Sequence, residues 1–304
     1  MPLFQFRSRR RSIVTETAPD RRFRLFGGRR HLAAMPYPLP KDTSEINRLD
    51  FQHYLLRTGF RGNFSAPLAD PTSILDVGCG SGRWAMELAA YFPIAQVVGV
   101  DLVPPATDDA QTLGYGLEKR PENYTFVAGN VLEGLPFPDQ SFDFVHQRLL
   151  ITAIPGDRWP FVVHELTRLA RVGGWVELAE CGVPEDGGPG LTSLWNSWIE
   201  LCSRRGVDFT MGHRIGELLQ QDGLTGVQQQ RLYFPMGDYG GRIGRMSATD
   251  CLAVAGALRA PVIAQGIQSE AQYDQLTAVA REEFSRTNKG GVLPFYLAYG
   301  QRTA

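Results

Sequence analysis

The ten residues 73–82, Ser-Ile-Leu-Asp-Val-Gly-Cys-Gly-Ser-Gly, constrain the fold more than any other part of the sequence. The stretch begins with a short apolar run typical of a buried parallel strand and ends in three glycines at alternate positions. A run of helix-forming composition, 84–90, follows. Glycines let the backbone approach a ligand closely, and the free N–H groups at a helix start favour polar or anionic groups. The order strand, glycine turn, helix therefore predicts a nucleotide-like ligand.

The next predicted strand, 96–101, ends in the carboxylate of Asp101, about twenty residues after the glycine turn. A carboxylate at that place can accept hydrogen bonds from both hydroxyls of a ribose. The alternative is that Asp101 only ends the strand. A dinucleotide-binding motif would need glycine or alanine at position 83, where this chain has Arg83, so NAD is disfavoured as the ligand.

Charge is distributed unevenly along the 304 residues. Residues 1–34 carry nine arginines against Glu16 and Asp20, a net charge of +7, and the chain as a whole carries −1, which leaves −8 for residues 35–304. The basic segment has no sustained apolar period, so it is predicted to be a flexible Arg-rich tail. The acidic body disfavours nucleic acid as a partner, while binding of nucleic acid or acidic lipid by the tail stays open.

The four cysteines stand far apart, at positions 79, 181, 202 and 251, without a Cys-x-x-Cys pair. Neither a zinc site nor a disulfide framework is expected, and no metal is predicted. No hydrophobic signal-peptide segment follows the basic N-terminus, and no uninterrupted apolar run approaches the roughly 20 residues that span a bilayer. We therefore expect a soluble, intracellular and cytoplasmic protein without a membrane partner.

Two motifs together resemble a known family. The run 76–82 is similar to the first motif of class I S-adenosylmethionine (SAM) methyltransferases. The segment before it resembles methyltransferases related to LaeA, the fungal regulator of secondary metabolism. The residues that carry this second resemblance are Tyr37, Leu39, Pro40, Asp42, Glu45, Arg48, Leu49 and His53, the last four on a helix predicted from Thr43. In such proteins this segment folds over the cofactor, which makes Tyr37, Arg48 and His53 pocket candidates; simple packing or capping roles weigh equally.

The resemblance also implies a set of cofactor contacts. In such enzymes the glycine turn lies under the methionine part of SAM, and an acidic or amide group hydrogen-bonds the adenine amino group. Asn130, after a strand predicted at 124–128, stands at that second place and can accept the bond through its carbonyl oxygen, although aspartate is the usual residue. The predicted cofactor-binding residues are Asp76, Gly78, Cys79, Gly80, Gly82, Asp101, Leu102, Asn130, Val131 and Gln147.

Three polar residues, His146, Gln147 and Arg148, follow a strand predicted at 142–145 that resembles the fourth strand of these enzymes. Ligands bind at the carboxyl edge of open α/β sheets, so these side chains are expected to border the transferred methyl group. His146 is the leading candidate for a general base, which is needed only if the acceptor keeps its proton, with Glu180 and His213 behind it. In the alternative, Arg148 forms a structural ion pair and His146 is a packing residue.

The last third of the chain must determine the acceptor. Helical regions predicted at about 186–225 and 240–288 form a cap, and they flank a strand at 226–235 and precede a terminal strand at 293–300. Aromatic stripes in such helices are more often core than binding site. The predicted substrate-binding residues are Tyr37, Arg148, Trp195, Trp198 and Tyr296.

The sequence thus predicts an α/β domain over residues 35–304: a Rossmann-like, mostly parallel seven-stranded sheet with an N-terminal helical cover and a helical insertion between the last two strands. The predicted function is SAM-dependent methyl transfer to a small-molecule acceptor of secondary metabolism. The alternative is a LaeA-like regulatory protein that keeps the SAM-binding fold and acts through protein partners. An NAD-dependent dehydrogenase is a weaker rival, and a homodimer is left open.

Overall fold

The computed structural model describes residues 22–33, 37–104, 120–287 and 290–304. In chain order its helices and strands are β1 (Phe23–Phe26), β2 (Arg29–Leu32), α1 (Thr43–Phe60), β3 (Ser73–Val77), α2 (Arg83–Tyr91), β4 (Gln96–Asp101), β5 (Tyr124–Ala128), β6 (Phe142–Arg148), α3 (Trp159–Leu169), β7 (Ala170–Cys181), α4 (Pro189–Ser203), α5 (Met211–Gln221), β8 (Thr225–Pro235), α6 (Gly241–Ala264), α7 (Glu270–Phe284) and β9 (Val292–Gln301). A short helix predicted at 110–117 lies outside the described residues.

Seven of the strands form one sheet in the order β5-β4-β3-β6-β7-β9-β8. The first five are mutually parallel, and β9 runs antiparallel to both β7 and β8. The chain moves outward from β3 to β5 and then returns to β6 on the other side of β3, so strand order reverses between β3 and β6. The carboxyl ends of those two strands therefore border the crevice where ligands bind in such sheets. The predicted fold class is confirmed.

Alternation along the central strands divides the side chains between two faces of the sheet. Leu75 and Val145 pack with Leu166 of α3 and Ile215 of α5 on one face, whereas Ile74, Phe144 and Trp84 of α2 pack together on the other. Both faces are therefore covered, as the nearly continuous apolar strand sequences predict for a parallel sheet.

Helix α1 begins at a capping residue and carries an unusual number of buried polar groups. Asp42 is its N-cap and accepts a hydrogen bond from Glu45 N at 3.0 Å, whereas the sequence allows either Asp42 or Thr43 in that role. Its buried side chains include Arg48 and His53. Arg48 donates to Asp250 of α6 at 2.9 Å, so α1 is joined to the cap by a buried ion pair.

Helices α4, α6 and α7 pack against one another and form the cap. Trp198 Nε1 of α4 donates to Tyr273 OH of α7 at 3.0 Å, and Tyr273 OH donates to Ala255 O of α6 at 2.8 Å. By length and composition, residues 238–264 could cross a membrane, yet they include a buried Asp250 that is ion-paired with α1. In this fold α6 is a packed helix of the cap.

The prediction of a flexible Arg-rich tail over residues 1–34 is wrong for the described part, 22–33. There β1 and β2 form an antiparallel hairpin. Leu32 is buried, Arg29 forms a bidentate ion pair with Asp42 at 2.7 and 2.9 Å, and a Cβ at Gly27 would meet Ala260 of α6. The contacts that hold the hairpin, at Leu32, Arg29 and Gly27, join it to residues far away in the sequence, and Leu25 stays exposed, so no local pattern in the segment predicts its docking.

Candidate functional site

One cavity at the carboxyl edge of the sheet gathers most of the predicted site residues. Its walls come from the ends of β3, β4 and β6, from α1, from the segment 37–41 and from helices α4 and α6 of the cap. The residues of the predicted sets that line it are Tyr37, Asp76, Gly78, Cys79, Gly80, Asp101, Leu102, Asn130, Val131, His146, Arg148, Trp195 and Trp198.

The glycine turn after β3 has a backbone geometry and a close fit that suit glycine alone. Gly78 and Gly80 have φ values of +73° and +56°, where side chains are disfavoured. Gly78 N donates to Val100 O at 2.8 Å, which fastens the turn to β4. A Cβ on Gly78 would lie 2.5 Å from Leu150, and one on Gly80 would lie 3.2 Å from Leu49. The turn therefore keeps a narrow space that any side chain would fill.

The carboxylate of Asp101 is held in place at the end of β4. Its Oδ2 accepts from Gly80 N at 2.9 Å, and its Oδ1 accepts from Leu102 N at 2.7 Å and from Lys41 Nζ at 3.1 Å. Burial lowers the pKa of Lys41, but the Asp101 carboxylate outweighs burial and the net shift is upward. Because a carboxylate offers about four lone-pair positions, Asp101 retains acceptor capacity for a ribose hydroxyl.

Asn130 and Val131 line the cavity beyond the end of β5. Asn130 caps a single 3₁₀ turn: its Oδ1 accepts from Leu132 N at 3.1 Å and its Nδ2 donates to Glu133 Oε1 at 2.9 Å. This pairing fixes which atom is the oxygen, since only an oxygen can accept from the backbone N–H. The second lone pair of Oδ1 can accept a hydrogen bond from an adenine amino group.

His146 is paired with Asp76, and this pair forms part of the floor of the cavity. His146 Nδ1 lies 2.9 Å from Asp76 Oδ1 on the neighbouring strand, and the imidazole stacks on Trp84 with ring centres 3.8 Å apart and planes 5° apart. Burial lowers the pKa of His146, and the hydrogen bond with Asp76 opposes that shift. The ring is therefore neutral near pH 7, and the carboxylate keeps its proton on Nδ1.

The far end of the cavity is apolar and aromatic. Trp195 lies 5.3 Å from Trp198 and 5.9 Å from Phe209 between ring centres. Burial raises the pKa of the Cys202 thiol to about 11, so this thiol stays neutral. The remaining residues of this end include Cys181, Met236, Cys251, Val254, Leu258 and Phe295. Asp250 of α6 also lines the cavity, but its charge is paired with Arg48, and the apolar walls suit an apolar ring.

Glu180 and Gln147 lie outside the cavity lining, on the opposite face of the sheet from His146. Glu180 accepts from Gln147 Nε2 at 2.6 Å, from Leu150 N at 2.9 Å and from Ile151 N at 3.1 Å. Burial raises its pKa to about 8, against those hydrogen bonds. The predicted catalytic role of Glu180 and cofactor role of Gln147 have no geometric support, because the pleat turns both side chains away. Glu180 instead holds the loop that forms a cavity wall.

Three further predicted residues do not line the cavity. Gly82 is the N-cap of α2, with φ +76°, and a Cβ there would lie 2.7 Å from Tyr124 OH. Its role is therefore to allow the turn to pack against Tyr124, outside the cavity. His213 is exposed on α5, and its ring lies 6.1 Å from that of Tyr296. Neither His213 nor Tyr296 lines the cavity, so neither the catalytic role of His213 nor the substrate role of Tyr296 is supported.

Lys41, Trp84 and Asp250 line the cavity although the sequence did not single them out. Trp84 carries the one usable signal, since it follows the glycine turn in the first turn of α2 and must lie near the strand ends. Lys41 and Asp250 contact partners 60 and 202 residues away in sequence, Asp101 and Arg48. No local pattern predicts such contacts.

Known proteins match this chain across most of its length. Residues 74–174 match a family model described as a methyltransferase domain. Methyltransferase str3 of Strobilurus tenacellus is 32% identical over 213 residues, 67% of this chain and 72% of that protein. N-methyltransferase gliN of Aspergillus fumigatus is 27% identical over 285 residues, 88% and 96%. The secondary metabolism regulator LAE1 of Cochliobolus heterostrophus is 28% identical over 217 residues, 66% of each chain.

Proposed function

The chain belongs to the class I SAM-dependent methyltransferases, and we propose that it methylates an apolar, ring-containing small molecule of secondary metabolism. One observation carries the proposal. A single cavity runs from the glycine turn and Asp101 to the aromatic end formed by Trp195 and Trp198. Cofactor and acceptor can therefore meet within one cavity.

The residues at the sheet edge fit the cofactor. The narrow space at Gly78 and Gly80 suits an unbranched chain laid over the turn, Asp101 suits the ribose, and Asn130 Oδ1 suits an adenine amino group. SAM, when bound, supplies an electrophilic sulfonium methyl group. The task left to the chain is to hold an acceptor in line with that methyl group, and such positioning supplies much of the acceleration of a two-reactant step.

The chemistry of the acceptor follows from the walls at the cap end. Aromatic and aliphatic side chains with neutral thiols favour an apolar ring over a charged or extended polymer. The enclosure by α4 and α6 also disfavours nucleic acid. The names of the relatives str3 and gliN support methyl transfer, and the name of LAE1 supports a place in secondary metabolism. Because gliN is named as an N-methyltransferase, we take nitrogen-containing molecules as the first acceptors to test.

We assign proton removal to His146 where the acceptor carries a proton. Asp76 holds the Nδ1 proton, so only Nε2 of the neutral ring can receive one, and stacking on Trp84 fixes the ring plane. Trp84 and Asp76 are positioning residues in this scheme. An acceptor that is already unprotonated needs no base and would react by positioning alone.

Calorimetric titration with SAM, S-adenosylhomocysteine (SAH) and NADH tests the cofactor, and mass spectrometry of cells with and without the gene identifies the acceptor. We expect binding of the first two ligands and none of NADH. A protein that binds SAH but changes no metabolite would support the regulatory alternative, which the named methyltransferases among its relatives do not favour. A cytoplasmic location and a homodimer stay predictions.

A further inference from the structure

Arg148, which is half-buried in the cavity wall, has fewer ionic partners than Arg48, a buried arginine of α1. Arg48 has two carboxylates at ion-pair distance, Glu45 at 2.6 Å and Asp250 at 2.9 Å. Arg148 also lines the cavity, yet within the described part of the chain no carboxylate lies within 4.0 Å of its guanidinium. Its polar contact there is His53 Nδ1, at 3.2 Å. A guanidinium has five N–H donors, so most of its donor capacity remains.

The carboxylates that surround Arg148 at longer range are committed elsewhere. They are Asp76, Glu87 and Glu177, which raise its pKa, while burial lowers it and prevails. Asp76 bonds His146, Glu87 bonds Arg57 and Asn63, and Glu177 accepts from the backbone of Ser65 and Ala66 at 2.7 Å. A cation held partly out of water without an adjacent anion is costly, and the cost falls when a ligand supplies the anion.

His53 presents a fixed tautomer to Arg148. A guanidinium can only donate, so the contact at 3.2 Å requires a lone pair on His53 Nδ1 and places the imidazole proton on Nε2. Nε2 lies 3.2 Å from Glu87 Oε1. Burial lowers the pKa of His53, with the Arg148 charge acting in the same direction. The neutral imidazole therefore orients the guanidinium without neutralising it.

Arg148 lies beside the glycine turn, on the side away from Asp101. Gln147 pairs with Val77, so the next residue of β6 stands beside Gly78. Asp101 ends β4, on the other flank of β3. Two strand spacings, about 10 Å, separate these flanks. This separation suits a ligand with a diol at one end and an anion at the other, joined by an extended chain that crosses the turn.

We propose that Arg148, oriented by His53, binds the amino-acid carboxylate of the cofactor. Two parallel N–H···O bonds are the geometry in which a guanidinium holds a carboxylate best. The assignment moves Arg148 from the acceptor, where the sequence placed it, to the cofactor. It rests on the cofactor of the proposed function and is independent of the acceptor.

The test compares two ligands that differ only in the carboxylate: SAH and its decarboxylated analogue, S-adenosyl-3-thiopropylamine. In the full chain, Arg148→Met is expected to weaken SAH binding by about 10–100-fold, the scale of a charged hydrogen-bonded pair. The affinity for the analogue should stay within about threefold, because the lost interaction is absent from that ligand. Arg57→Met, which removes a half-exposed arginine of α1 that lies outside the cavity lining, should change neither affinity.

Each other outcome overturns the proposal. Equal losses for both ligands would make Arg148 a structural residue, and unchanged SAH affinity would exclude the contact. Unchanged SAH affinity with weakened binding of benzoate would assign Arg148 to an acidic acceptor instead. If Arg148→Met does not fold, Arg148→Lys keeps the charge and should weaken SAH alone by about 3–10-fold, since lysine cannot bind bidentately. A wild-type chain that binds neither ligand would refute the cofactor itself.

Discussion

The two ends of the cavity are built from different parts of the chain. The cofactor end consists largely of backbone and short polar side chains from strand ends, with the glycine turn at 78–80 fastened to β4. The acceptor end consists of large apolar side chains from α4 and α6 and from β9, elements that are far apart in sequence. Backbone turns depend on local geometry, whereas an apolar wall depends on how whole helices pack. The first end therefore tolerates few substitutions, and the second can be repacked for different acceptors.

The largest expected effect is at the glycine turn. Gly80→Val should abolish SAH binding in calorimetry, because the side chain enters the space beside Leu49 at a positive φ. Gly173→Val is the matched control: it also has a positive φ, +82°, but no atom lies within 4 Å of its Cβ position. Both variants should lose stability, and only the first should lose the ligand. Loss of binding in both would mean that backbone strain, rather than the cradle, is responsible.

His146 lies on the floor of the cofactor end, yet its proposed role is to remove a proton from the acceptor. His146→Ala should reduce turnover of a protonated acceptor by about 10²–10⁴-fold, with SAH affinity nearly unchanged. Since burial lowers the pKa of His146, the acidic limb of the wild-type pH profile should lie below the ordinary value of 6.5. Turnover that survives the substitution would leave His146 as a wall residue and catalysis by positioning alone.

The next prediction concerns Glu180, whose buried carboxyl group holds Leu150 and Ile151 in the loop that lines the cavity between its two ends. Its pKa in the folded chain, about 8, exceeds the unfolded value near 4.3, so the folded state holds a proton between those pH values. The stabilisation is present below about pH 4.3 and is lost as the pH rises towards 8. From pH 5.5 to 8, the unfolding free energy of the wild type should fall by about 2–3 kcal/mol relative to Glu180→Gln in urea titrations. Parallel curves would contradict the raised pKa.

The smallest effect is expected at the acceptor end. Trp195→Phe keeps an aromatic wall and should leave SAH affinity within about twofold, while KM for the acceptor changes by a factor of about 2–10, the range of a modest hydrophobic change. Trp198→Phe is the contrasting variant, because Trp198 Nε1 donates to Tyr273 OH and its loss also weakens the cap. A change in SAH affinity with Trp195→Phe alone would show that the two ends are coupled.

Several site residues could be identified from the sequence because their positions follow from local rules. The glycines, Asp101, Asn130 and the pair His146 and Arg148 all occur at strand ends, and parallel strands bring their carboxyl ends to one edge. Adjacent residues of a strand face opposite sides of the sheet, so the sequence alone could also have shown that the Gln147 side chain points away from that of His146. Glu180 required the pairing of β7 as well, because its face is fixed by register with its neighbours.

The sequence by itself determined the order strand, glycine turn, helix and the carboxylate that follows, because spacing of apolar and glycine residues acts over a few residues. Only the tertiary structure decided that Lys41 pairs with Asp101, and that His146 hydrogen-bonds Asp76 and stacks on Trp84. It also decided that the segment 22–33 docks as a hairpin. These contacts join groups far apart in the chain, and their free energy arises from burial and charge pairing that exist only once the elements have packed.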